Sequence, residues 1–208
     1  MEEKKLTERE SLELISQMIR STRENMEVGS GNQFLAWGYF SALLSVLLFI
    51  LVTSTGNNVW ALGWFAMFAF WGILKFVQRG RKTPLVTYTD RVVIQVWQVI
   101  GALFILTVLV IIALTFVYGR GDFSLMLPLA LLYCGIGTSI TGIVIKETWA
   151  TYSPLVAFVF AIYMLASYAI GEAHVLHWYL YFGLSFVFMM IVPGHIINRK
   201  AKQICSKN

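Results

Sequence analysis

The chain has 208 residues, of which 58% are hydrophobic and only 13% charged, with a formal net charge of +5. A soluble domain carries about 25% charged residues, so this composition excludes an ordinary water-exposed surface. Mean hydropathy is +0.70, and the seven Trp are of the type enriched at bilayer interfaces.

The first 27 residues are charged and lack an apolar core, so the first span, rather than a cleavable signal peptide, is expected to direct insertion. They read as a separate amphipathic helix. Thr7 and Glu10 fit a capping box. Leu12, Ile15, Ile19, Thr22 and Met26 follow at 3-4 spacing along one face. Gly29, Ser30 and Gly31 are expected to end it. Seven acids oppose five bases, a net of −2, which leaves +7 for the rest of the chain. A helix lying on anionic lipid shows a basic polar face, so docking to protein is the expectation here.

Charge-free windows then follow. No Asp, Glu, Lys or Arg occurs from Val28 to Leu74, Val92 to Gly119, Phe123 to Ile145, Thr148 to Gly171, or Ala173 to Asn198. A spanning helix needs about 20 mainly apolar residues. The turn signal from Ser54 to Asn58 divides the first window in two. The expected spans are Phe34–Thr53, Val59–Val77, Val92–Tyr118, Ser124–Ile145, Trp149–Ile170 and Val175–Ile197. The predicted fold is thus all-α: a cytoplasmic helix and linker over 1–32, a six-helix transmembrane bundle over 33–198, and a basic tail over 199–208.

Fifteen of the sixteen Lys and Arg fall on one side of this arrangement, and only Arg120 falls on the other. Cytoplasmic loops carry the excess of basic residues, so both termini are expected inside. The loop from Lys75 to Arg91 has five bases and one acid, which makes it a complement for the acidic N-terminal helix. Cys134 falls mid-span and Cys205 in the tail, too far apart to bridge.

Several segments invite a functional reading. In span four, Gly135, Thr138, Ser139, Thr141 and Gly142 put small residues four apart, which suits close helix packing or a small-ligand groove. Pro193, Gly194 and His195 interrupt span six, where a kink frees carbonyls and His195 can hydrogen-bond a neighbouring helix or a ligand. Pro128 and Pro154 are further kink candidates. Gln95 and Gln98 are the strongest polar groups in span three and can line a pore or bridge helices. His174 and His177, beside Glu172, have helical spacing for a metal but no third histidine near. No cofactor and no metal site is expected. The spans hold no acidic residue, whereas proton-coupled transporters place Asp or Glu in the membrane.

The run Leu12, Ile15, Met18 and Ile19, then Gly31, Asn32, Phe34, Leu35, Trp37, Gly38 and Tyr39, then Pro193, Gly194 and His195, resembles a group of bacterial membrane proteins without an assigned activity. The group is found mainly in Bacteroidetes, and the likeness covers nearly the whole chain. It implies a bacterial inner-membrane location and no catalytic residues. The expected role is therefore non-enzymatic, with the Leu12, Ile15, Ile19 and Met26 face engaging its own inner surface, a cytoplasmic protein or a second copy. A small-solute transporter or channel component is the alternative. The bilayer is the expected partner of such spans, and nucleic acid is not expected.

Overall fold

The computed structural model describes residues 8–78, 88–119, 122–172 and 174–205, and side chains mainly from Gly31 onward. Among the described residues every regular element is helical. Six helices are long and apolar enough to cross a membrane: Gly31–Thr55, Asn58–Val77, Thr89–Tyr118, Phe123–Val144, Thr148–Ala169 and Val175–Lys200. These agree with the expected spans to within three residues at each end.

The first helix corrects one expectation. α1 runs without a break from Glu8 to Thr55, 48 residues, straight through Gly29, Ser30 and Gly31. No proline precedes Pro84. Glycine inside a helix costs about 1 kcal/mol relative to alanine, which weakens a helix without stopping it. At about 1.5 Å per residue, the part before Gly31 extends roughly 35 Å beyond the span. α1 ends where Gly56 takes a left-handed φ of 63° and its N–H donates to Val52 O at 2.9 Å. Thr53, Ser54 and Thr55 each turn a hydroxyl back to the carbonyl four residues earlier, at 2.6–2.7 Å.

Span two begins at Asn57, whose side chain accepts from Val59 N–H at 2.9 Å. It opens as a 3₁₀ segment, Asn58–Phe65, and continues as α2, Ala66–Gln78. The 3₁₀ rise of about 2.0 Å per residue lets this short span reach roughly 4 Å further than an α-helix would. α3 is Tyr88–Tyr118. Asp122 then accepts from Ser124 N–H at 2.8 Å, and a 3₁₀ turn leads into α4, Met126–Val144. Pro128 sits in the first turn of α4, where a missing N–H costs nothing, so no kink forms there.

Span five is interrupted as Pro154 predicts. α5, Thr148–Tyr152, stops at Ser153, and α6, Leu155–Ala169, starts after Pro154. In span six, α7 is Val175–Phe186 and α8 is Val192–Cys205. Between them Val187–Ile191 forms a π turn, in which Val192 N–H donates five residues back to Val187 O. The distortion thus falls one turn before Pro193, not at it. Proline cannot supply the next helical donor, and the wider turn relieves its clash with the preceding carbonyl.

α1 packs along α7, the π turn and α8, while α4 packs against α3, α5, α6 and α7. The main core joins Phe34, Leu131, Met164, Trp178, Phe186 and Met189. A second cluster seats Trp64 and Met67 on Leu44, Leu48 and Tyr179. Spans two and three are peripheral: 0% and 11% of their most apolar windows are buried, against 50% for span six.

Candidate functional site

The end of the bundle where α1 and α8 meet carries its most connected polar groups. Glycines make this contact possible. A Cβ on Gly31 would lie 2.1 Å from Asn198 Oδ1 and 3.1 Å from Gly194 O. A Cβ on Gly38 would meet Ile191 Cγ1 at 2.8 Å, and one on Gly194 would meet Leu35 at 3.0 Å. Two helices therefore touch backbone to side chain along about two turns. Gly31, expected to terminate a helix, and Gly194, expected to loosen one, both serve close approach.

Polar side chains flank the seam. Asn198 Nδ2 donates to Asn32 Oδ1 at 2.9 Å. Tyr39 Oη and His195 Nε2 are 2.8 Å apart, with the rings edge to face. His195 thus bonds a neighbouring helix, one of the two roles expected for it. Pro193 and Gly194 beside it are buried, while His195 is exposed.

The turn between α4 and α5 joins the same end. Glu147 N–H donates to Gly142 O at 2.8 Å, and Ile145 N–H to Thr141 O at 2.9 Å. Such bonds close a helix with a left-handed residue, here Lys146 at φ 58°. The turn aims Glu147 inward, where its side chain is only 10% exposed and both oxygens accept from Lys200 Nζ, at 2.7 and 2.8 Å. This pair ties α8 to the α4–α5 turn. Sequence reading missed it, because Glu147 and Lys200 stand 53 positions apart and each looks like an ordinary loop charge. The one available signal was an acid, Glu147, in a turn whose only other charge is Lys146, on an otherwise basic side of the chain.

The span-four residues divide. Gly142 lies on α5, since its Cβ would fall 2.4 Å from Thr151 N and 2.6 Å from Ala150 C. A Cβ on Gly135 would meet the Phe158 ring at 2.4 Å. Thr141 Oγ1 donates to Gly137 O at 2.7 Å and accepts from Trp97 Nε1 at 3.2 Å, which pins α4 to α3. Thr138 is fully buried, and its hydroxyl has no partner among the described residues. Ser139 is half-buried. Gln95 and Gln98 are exposed on α3, whereas Thr138 is buried in the bundle.

His174 and His177 are exposed with ring centroids 5.9 Å apart, and no group of three metal-binding side chains occurs among the described residues. The side chains of Leu12, Ile15, Ile19 and Met26, and the loop over 79–87, lie outside the described residues. The α1–α8 end is thus a tightly packed joint between helices. Its polar groups bind one another across helices, and α1 runs out of it as one continuous helix. Comparison with known protein families, curated proteins and solved structures finds no match.

Proposed function

We propose that this chain is a multi-pass protein of a bacterial inner membrane with both termini cytoplasmic. Its role is non-enzymatic: a cytoplasmic partner protein engages the first part of α1, and the joint passes that engagement to the bundle. The observation that carries this reading is the continuity of α1. A helix without a break runs on from the bundle and does not fold back along it. Cover for its Leu12, Ile15, Ile19 and Met26 stripe is then best supplied by another molecule, since a short isolated helix is marginal in water. The segment's net charge of −2 disfavours an anionic leaflet as that cover.

The joint gives such binding a consequence. Any turn or shift of α1 bears on Asn198 and His195 through Asn32 and Tyr39. Lys200, on the same helix, carries it to Glu147. The test is a photoreactive phenylalanine analogue placed singly at Ile15, Ile19, Glu13 or Gln17 in the native cell. Ile15 and Ile19 should yield a discrete adduct with a second protein, and the two off-stripe positions should not. Adducts with lipid, with the chain's own loops or with a second copy would each defeat the partner reading.

A further inference from the structure

We propose that the outer face of α3 packs against α3 of a second copy of this chain, with like residues meeting across a two-fold axis. The inference rests on the membrane-spanning reading. Gln95 and Gln98 are both exposed, and neither side chain has a hydrogen-bond partner among the described residues. Arg91 is on the same side of α3 and marks its polar end. At about 1.5 Å per residue, Gln98 lies roughly 10 Å deeper than Arg91, within the hydrocarbon. A carboxamide there has lost water, and lipid tails offer it nothing in return.

The occupant follows from the chemistry of the group. A carboxamide carries both donors and an acceptor, so its natural complement is another carboxamide. All copies insert in the same direction. A two-fold axis along the membrane normal therefore sets two α3 helices parallel and brings each glutamine beside its own equivalent. The rest of the face fits that geometry. Gln95, Gln98, Ala102, Ile105, Leu109 and Ile112 are all exposed and follow 3-4-3-4-3 spacing, the seam of two parallel helices. Beside them, a Cβ built on Gly101 meets nothing within 4 Å, which leaves backbone surface open for close approach.

The full-length chain with Cys134→Ala and Cys205→Ser is the starting point, washed at alkaline pH to establish retention in the membrane. Single cysteines then go on the seam, Ala102→Cys and Leu109→Cys, and on comparably exposed faces elsewhere, Phe68→Cys on α2 and Ile162→Cys on α6. Oxidation should link dimers through the first two and not the others. Replacing Gln95→Leu together with Gln98→Leu should weaken association in liposomes about tenfold, read by energy transfer on lipid dilution. Linkage at all four positions, linkage at neither seam position, or unchanged association of the double variant would overturn the dimer. Release of the chain by the alkaline wash would instead overturn the spanning reading, and the dimer with it.

Discussion

A single methyl group added at Gly142 tests whether α4 and α5 are locked backbone to backbone. In Gly142→Ala the new Cβ would lie 2.4 Å from Thr151 N, 2.6 Å from Ala150 C and 2.8 Å from Thr151 Cα. Ordinary carbon contacts need about 3.5–4.0 Å, so α5 must retreat by roughly 1 Å. No side chain can absorb that shift, because all three atoms are backbone. Gly142 O also receives Glu147 N–H, so retreat strains the turn that holds Glu147 against Lys200. Overpacking costs about 1–3 kcal/mol, and a backbone obstacle belongs at the upper end. Gly135→Ala makes an equally short contact, 2.4 Å, but with the Phe158 ring, which can turn away. Its cost should be nearer 1 kcal/mol. Gly72→Ala on α2 meets nothing, and should gain up to about 1 kcal/mol of helix propensity. Unfolding in mixed dodecylmaltoside–SDS micelles ranks the three. Equal losses at Gly142 and Gly135, or none at Gly142, would refute the close contact.

Lys146→Gly should stabilise the chain by about 0.5–1 kcal/mol in the same titration, because glycine carries no penalty at a φ of 58°. Lys200→Met leaves the nearly buried Glu147 carboxylate without its cation and should cost about 1 kcal/mol, discounted because the lysine is half exposed. Glu147→Gln should cost less than Lys200→Met, since the amide leaves no unpaired charge. For orientation, cysteines near Arg81 and Lys200 should resist an impermeant label in spheroplasts, and cysteines near Asn57 and Ala173 should react.

The spans were legible because bilayer thickness and helix rise fix their length, and charge-free windows of that length are hard to mistake. The stop of α1 at Gly56 was legible for the same kind of reason: a glycine in a polar turn offers the left-handed residue a helix end uses. The opposite reading at Gly29 to Gly31 failed because glycine has two uses, and sequence does not show which applies. What decides is the neighbour. Gly31 faces Asn198 and Gly194, contacts that exist only after six spans have assembled. Pairings such as Asn32 with Asn198 or Glu147 with Lys200 are hidden likewise, since each partner alone reads as a solvated loop residue. Pro193 was legible as a disturbance but not as a π turn, which depends on which carbonyls the neighbouring helices leave to be satisfied.

The two peripheral spans look alike in exposure but differ in the polar groups they expose. Span two, Asn58–Val77, is half-buried or exposed throughout, and its polar residues, Asn58 and Lys75, lie near its ends. Everything between is aliphatic, aromatic, methionine or glycine, a surface suited to lipid without help. Its aromatic rings also turn inward where they can: Phe70 stacks on Phe40 at 4.0 Å and meets Trp37 edge to face at 5.1 Å. Span three is held through α4 by Trp97 to Thr141 and Thr107 to Tyr133. Those bonds account for the polar groups on its inner face. They leave Gln95 and Gln98 on the other. A helix that faced lipid on that side would gain by exchanging both for leucine, at no loss of internal contact. Two carboxamides on one otherwise apolar stretch therefore direct the proposed dimer contact to α3, not α2.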